Sequence, residues 1–237
     1  MTLAQGDGPK VIYFSSCVNS VLAPESGKST PKSVLSLLKK AGFHVLMPES
    51  PKSLCCGMPY ESKGFDKSAK NKTLELQNSL WQLSDQGRIA IICDNSPCSY
   101  HMINTLTDKL KVLDAPSFFA QHLDLFKITK TQNSLLTFSV CSQQKAGESA
   151  ALNKIAQACS QKLKEVEEIT CCGFAGDRGF SHPELNSSSL KSLRDQVGKC
   201  TKGYSSSRSC EIGLKTHSGI PFNSILQLLD ECSAPKE

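Results

Sequence analysis

Short apolar runs alternate with amphipathic stretches along the whole chain. The run Lys10 to Phe14 reads as a strand and ends at Ser15-Ser16-Cys17. A loop with Pro24 and Gly27 leads into a well-punctuated helix. Thr30 suits its cap, Pro31 its first turn and Gly42 its end, and Val34, Leu37, Leu38 and Ala41 recur at helical spacing. Phe43 to Met47 reads as a second strand that leads to Cys55-Cys56-Gly57. A polar helix follows over 66–84, with Leu76, Leu80 and Leu83 on one face. Arg88 to Ile92 is nearly all apolar, as buried parallel strands are, and runs into Cys93-Asp94-Asn95-Ser96-Pro97-Cys98. Another helix and a short strand, Val112-Leu113, carry the chain to about Lys127.

The pattern then begins again. Leu135 to Val140 reads as a strand ending at Cys141. A helix over 148–163 carries Leu152, Ile155, Ala156, Cys159 and Leu163 on one face. A β segment over 166–170 leads to Cys171-Cys172-Gly173. A helix after Pro183 carries Leu190, Leu193 and Val197, and Lys199 to Tyr204 reads as a strand before Ser205-Ser206-Ser207-Arg208-Ser209-Cys210. A last helix, from near Pro221, carries Ile225, Leu228 and Leu229. This is an internal repeat. Each half reads strand–Cys, helix, strand–Cys-Cys-Gly, helix, strand–Cys, helix. Matching cysteines are offset by 124 (Cys17 to Cys141), 116 (Cys55 to Cys171) and 112 (Cys98 to Cys210) residues, so the loops differ in length. The expected fold is therefore α/β: two tandem Rossmann-like βαβ units with parallel sheets, related by pseudo-twofold symmetry. The expected division is 1–127 and 128–237, across the polar stretch Lys127 to Asn133.

Composition narrows the function. The net charge of +5 is mild, and aromatics are not interleaved with basic clusters, which disfavours nucleic-acid binding. No apolar run approaches membrane length, and the first residues lack a basic start followed by an apolar stretch. The chain is expected in the cytosol, with attachment to the inner face of the cell membrane through a complex left open. Twelve cysteines in such a chain point to metal binding or catalysis rather than disulfides.

Ligand sites in open parallel sheets form beyond the carboxyl ends of the strands. That rule brings Cys17, Cys55, Cys56, Cys93 and Cys98 to one crevice, and Cys141, Cys171, Cys172 and Cys210 to another. Thiolates held together need a cation, and soft sulfur selects zinc, copper(I) or iron–sulfur clusters. Five thiolates exceed the four of a structural zinc site and lean toward a multi-iron cluster. Gly57, Gly173, Gly176 and Gly179 would let backbone N–H groups approach sulfur, and Arg178 would offset cluster charge. Cys159, on an apolar helix face, reads as a core thiol, Cys232 as incidental, and Cys200 as ill-placed for a ligand. The five histidines are not grouped at metal spacing; His182 and His217 fall near the site loops. No residue is assigned a catalytic role.

These strings resemble a known family. Cys…Cys-Cys-Gly…Cys, repeated twice, is similar to the cysteine-rich CCG domain of the heterodisulfide reductase B subunit, the glycolate oxidase iron–sulfur subunit and lactate-utilisation proteins. Cys55-Cys56-Gly57-Met58-Pro59-Tyr60-Glu61-Ser62-Lys63-Gly64-Phe65, Cys171-Cys172-Gly173-Phe174-Ala175-Gly176-Asp177-Arg178-Gly179-Phe180 and Ser205 to Leu214 look most like the C-terminal region of FAD- and iron–sulfur-containing D-2-hydroxyacid dehydrogenases of the D-lactate type. The resemblance implies a [4Fe–4S] cluster, of the noncubane five-cysteine kind in the heterodisulfide reductase relatives. It also implies electron transfer from reduced flavin to a quinone or another carrier. FAD would then sit on a partner domain or subunit, alongside a ferredoxin-like domain. A heterodisulfide-reductase-like thiol/disulfide subunit and a zinc-stabilised structural module remain alternatives. The chain departs from the family at two points. Cys93 and Cys98 have four residues between them where the family commonly has two, and Ser205 stands where alignment from Cys210 places the match to Cys93.

Overall fold

The computed structural model describes residues 2–4, 8–24, 27–49 and 53–236; parts of the N-terminal lead-in and of the loops before 27 and 53 lie outside them. The first half runs β1 (Thr2–Ala4), β2 (Lys10–Phe14), α1 (Cys17–Val21), α2 (Thr30–Lys40), β3 (His44–Leu46), α3 (Met58–Glu61), α4 (Asp66–Leu83), β4 (Ile91–Cys93), α5 (Ser96–Thr105), β5 (Val112–Asp114) and α6 (Ala115–Gln121). After β6 (Phe126–Ile128) come β7 (Thr131–Thr137), α7 (Cys141–Ala146), α8 (Ser149–Cys159), β8 (Ser160–Glu165), α9 (Arg178–Ser181), α10 (Pro183–Ser189) and α11 (Leu193–Val197). The chain ends with β9 (Lys202–Ser205), α12 (Arg208–Ser218), β10 (Phe222–Ser224), α13 (Ile225–Cys232) and β11 (Ser233–Pro235). No helix among the described residues is long and apolar enough to cross a membrane.

The two sheets have the expected parallel α/β character. One is ordered β1-β3-β2-β4-β5 and the other β10-β9-β7-β8. Leaving aside β1, which pairs antiparallel with β3, each sheet has the same order when its four parallel strands are counted along the chain: second, first, third, fourth. A two-stranded ribbon, β6 with β11, ties the connection between the halves to the C-terminal segment.

Alternation along the strands sets what faces where. Val11, Tyr13 and Ile92 point into an apolar cluster that also holds Leu135, Ile155 and Tyr204 from the second half. Ile12, Phe14, Ile91 and Cys93 point to the opposite face, under α4 and α5. Leu136 and Phe138 do the same in the second sheet, under α10, α11 and α12. Each half thus has a private core, and a third core lies between them. Helix exchange builds that third core. The last helix of the first half, α6, packs on α8, while the last helix of the second, α13, packs on α2 and α8.

Several elements differ from expectation. The helix expected over 148–163 stops at Cys159, and the strand pairing with β7 is Ser160–Glu165 rather than 166–170. This strand lies at the sheet edge, where Lys162, Lys164 and Glu165 face solvent; charged edges of this kind erase the apolar signal. The single helix expected after Pro183 is broken between α10 and α11, following the run Ser187-Ser188-Ser189. The last helix begins at Ile225, because Phe222–Ser224 forms a fourth parallel strand beside β9.

Candidate metal centres

The first expected thiol set assembles at the carboxyl end of the first sheet. Cys17 opens α1, three residues beyond β2; Cys93 ends β4; Cys98 lies in the first turn of α5. Cys55 and Cys56 arrive on a longer loop after β3. Side-chain contacts run Cys17 to Cys55, Cys55 to Cys56, Cys56 to Cys98 and Cys98 to Cys93. All five are thus brought together. In the second half Cys141 contacts Cys171, Cys171 contacts Cys172, and Cys172 Sγ lies 2.8 Å from Cys210 Sγ.

The fifth position of the second set is a serine. Phe14 stands opposite Cys93 between β2 and β4, and Thr137 stands opposite Tyr204 between β7 and β9. Continuing that register one residue puts Ser205 opposite Phe138, and Ser205 Oγ donates to the Phe138 carbonyl (3.1 Å). Ser205 is wholly buried, as Cys93 is.

The Cys-Cys-Gly turns are built alike. Gly57 and Gly173 take positive φ (+96° and +70°), which glycine adopts without strain. Their N–H groups donate to Cys55 Sγ (3.5 Å) and Cys171 Sγ (3.3 Å). A following helix clasps each turn: Thr73 Oγ1 donates to the Cys56 carbonyl (3.1 Å), and Asn186 Nδ2 donates to that of Cys172 (2.5 Å).

The proton chemistry is matched too. Hydrogen bonds from Cys17 and then Cys56 pull the Cys55 thiol far down, and Lys72 adds a smaller effect in the same sense. Hydrogen bonds from Cys141 and then Cys172 do the same for Cys171, helped by Lys145. Their neighbours move the other way. Cys17 and Cys141 are pushed up, first by the hydrogen bond each gives and then by burial. In each half, then, the first cysteine of the pair loses its proton first, and the thiols around it donate to that thiolate. A metal takes over the same role as its ligands deprotonate.

Other residues brace the first site without a signal that periodicity exposes. Asp94, 3% exposed, accepts from Tyr13 Oη (2.5 Å) and Ser16 N (2.9 Å), tying the Cys17 loop to the end of β4. Burial pushes its carboxyl up although these bonds pull the other way. Asn95 Nδ2 donates to Cys98 Sγ (3.3 Å). His101 is buried with its Nε2 unpartnered, on the side of Gly57 where a Cβ would point. Beside the second site, burial pushes the Glu211 carboxyl up to about 7, against the opposing pull of Arg208.

The remaining expected site residues do other things. Arg178 Nη2 donates to the Ser62 carbonyl (2.9 Å), and Lys63 pairs with Asp177 (2.5 Å), so the two Cys-Cys-Gly loops are joined to each other. Gly179 lies under the Phe174 ring, and Gly176 faces open space at φ +77°. His182 contacts Glu184 at the surface. Cys159 is buried in the shared core, and Cys232 comes beside it. Cys200 neighbours Ser134 and reaches neither set.

The two sites lie at abutting ends of the sheets. Ser96 N donates to the Ser206 carbonyl (3.1 Å). Helix α1, which begins at Cys17, packs on α12, which carries Cys210; α5, which carries Cys98, packs on α7, which begins at Cys141. Among the described residues no group of three or more His, Cys, Asp or Glu surrounds a point that would take a single metal ion. The thiols run in rows of contacts. By chemistry the donors fit a cluster of several metal atoms: sulfur throughout, one readily formed thiolate per site, and glycine N–H groups on sulfur.

Solved structures resemble the chain only distantly. An aspartate racemase from Picrophilus torridus is 11% identical, covering 97% of this chain and 96% of its own, with a TM-score of 0.41. A glutamate racemase from Aquifex pyrophilus is 14% identical over 94% of this chain and 81% of its own (TM-score 0.41). The glutamate racemase isoform RacE1 from Bacillus anthracis is 11% identical over 96% and 80% (TM-score 0.39). Likeness at this level carries no argument about activity. The family model of the cysteine-rich domain CCG, by contrast, matches residues 11–103, the segment holding all five thiols of the first site. That segment, less than half of the chain, is thus similar to the cysteine-rich CCG domain, a likeness that suggests a redox or metal-binding module.

Proposed function

We propose that this chain is the iron–sulfur electron-transfer module of a flavin-dependent D-2-hydroxyacid dehydrogenase of the D-lactate type, relaying electrons from flavin to a quinone or another carrier. One observation carries the reading: two sets of thiols, five and four, stand at the abutting carboxyl ends of two like-ordered parallel sheets. An iron–sulfur cluster, when bound, accepts and passes on single electrons. The chain's own residues do the rest. Cys55 and Cys171 supply the first thiolates, the glycine N–H groups and Lys72 and Lys145 offset sulfur charge, and the private cores keep water from Cys56, Cys98, Cys172 and Cys210. Cys17, Cys55, Cys56, Cys93 and Cys98 would hold the first cluster; Cys141, Cys171, Cys172 and Cys210 would hold the second. FAD and the ferredoxin-like domain belong to the partner.

The test is iron, acid-labile sulfide and zinc content on anaerobically purified protein, followed by Cys56→Ser and Cys172→Ser. Several irons with matching sulfide per chain are expected. Each variant should stop electron flow to the natural acceptor while substrate oxidation by the flavin partner with an artificial acceptor continues. Zinc alone, persisting after cluster reconstitution, would sink the proposal.

A further inference from the structure

Two thiols outside both sets meet at the other end of the second sheet. Cys159 ends α8, one residue before β8, and Cys232 ends α13. Their side chains are in contact, and Cys232 Sγ lies 3.8 Å from the Cys159 carbonyl oxygen. Both are free thiols. Ser160 pairs with Thr131 at the amino end of β7, whereas Cys141 follows its carboxyl end. The seven residues of β7 put about 20 Å between the pair and the second thiol set.

The two thiols differ in access. Cys159 is wholly buried in the shared core, while Cys232 is half-buried and lines an open cleft of about 310 Å³. Lys130 and Lys202 line the same cleft, against one acidic side chain, Glu231, among the lining residues. Leu135 and Tyr204 add apolar surface. The hydrogen bond from Cys159 pulls the Cys232 thiol down; burial and Glu231 oppose it, and the Thr131 N–H and Lys202 add to it. Cys159 is pushed up by that same bond and then by burial, with Lys130 pulling the other way. One thiol is thus accessible and readily ionised, and the other stays protonated behind it. An attacking thiol backed by a resolving one needs this asymmetry.

We propose that Cys159 and Cys232 form a thiol–disulfide exchange site for a small anionic disulfide of the glutathione disulfide kind. In the first step the Cys232 thiolate attacks one sulfur of that disulfide. Its S–S bond breaks, a mixed disulfide forms on Cys232, and one half leaves. In the second step Cys159 gives up its proton and attacks Cys232 Sγ, and the other half leaves. The chain loses two electrons in forming the Cys159–Cys232 bond, the small disulfide gains them, and the protons of the two cysteines end on the two thiols released. Lys130 and Lys202 favour a reagent that carries carboxylates over a cationic one. The closed bond would tie the end of α8 to that of α13, the helix that packs across onto α2 of the first half. The thiol pool would then act on the seam between the halves through residues that belong to neither thiol set.

The experiment treats the full chain, reduced, with glutathione disulfide, quenches by acid and alkylation, and maps every cysteine by peptide mass spectrometry. The Cys159–Cys232 linkage should appear in the wild type and be reversed by excess dithiothreitol. Cys159→Ala keeps an apolar side chain in the core and should trap glutathione on Cys232. Cys232→Ser, at a half-buried position, should leave Cys159 unmodified. Cystamine, a cationic disulfide, should react at Cys232 about threefold or more slowly than glutathione disulfide at low salt. That gap should close when Lys130→Gln and Lys202→Gln are combined. A wild type without the linkage, no adduct on Cys232 in Cys159→Ala, or equal rates for the two reagents would each overturn the proposal. None of these readouts depends on iron in the two thiol sets, so they stand or fall apart from the electron-transfer reading.

Discussion

Gly57→Ala tests whether the Cys-Cys-Gly turn is a fixed frame or only a flexible carrier of thiols. Gly57 has φ +96°, where a side chain costs about 1–2 kcal/mol. A Cβ there would stand 2.5 Å from Thr73 Oγ1 and 2.9 Å from the Ala69 carbonyl oxygen. Thr73 can turn away, at the loss of its bond to the Cys56 carbonyl, about 1 kcal/mol. The Ala69 oxygen is helix backbone and yields only if α4 shifts, about 1 kcal/mol or more. The expected loss is about 3–4 kcal/mol. Gly64, in the same loop, has φ +78° with nothing near its Cβ position, so Gly64→Ala carries the backbone strain alone, about 1–2 kcal/mol. Urea unfolding of the reduced, metal-free proteins should separate the two by about 2 kcal/mol. Iron uptake on reconstitution should fall in Gly57→Ala and hold in Gly64→Ala. Equal losses of stability would refute the argument, since the close approach of α4 would then cost nothing.

Ser205→Cys should supply the fifth thiol of the second set at the loss of one hydrogen bond, about 1 kcal/mol. Reconstituted iron assigned to the second half should rise, and Cys93→Ser should lower that of the first. Asp230, whose side chain is 1% exposed, pairs with Lys40 (2.7 Å) and Lys28 (2.8 Å) and locks α13 onto the first half. Asp230→Asn should cost about 2 kcal/mol by urea unfolding near pH 7, discounted because Lys28 is largely exposed. Burial pushes the Asp230 carboxyl up, but hydrogen bonds from Lys28, Lys40 and Ser36 outweigh it and hold the carboxyl low. Its contribution is therefore present above the ordinary aspartate range and is lost as pH falls through the lowered value. The gap between wild type and variant should close on acidification and stay constant from pH 6 to 8. In the reduced, metal-free chain a thiol reagent should modify Cys55 and Cys171, the accessible thiols that ionise most readily, before the buried Cys56, Cys93, Cys98, Cys172 and Cys210; an unordered reaction would argue against rigid thiol sites.

The sequence by itself determined the elements whose signals are local. Helix α2 shows Pro31 in its first turn, an apolar face and Gly42 at its end because capping and spacing act within one segment. Strand β4 shows because both its faces are buried. The thiols of the first site were legible because the carboxyl-end rule for parallel sheets turns strand order into convergence. Tertiary structure decided what depends on a partner distant in sequence. Strand β8 is an edge strand whose lysines carry no apolar pattern, so only its pairing with β7 defines it. Helix α13 is buried nearly all round because it lies between α2 and α8, and its buried aspartate is tolerable only because two lysines from the other half reach it. Nothing local to Arg178 or Lys63 marks them as the link between the two Cys-Cys-Gly loops. Likewise, Asp114, Ser142 and Gln143 are ordinary polar residues until the seam between the halves removes their water. Propensity and periodicity act over one or two turns of chain, whereas burial, charge compensation and unpartnered oxygens arise only when two distant surfaces close on each other.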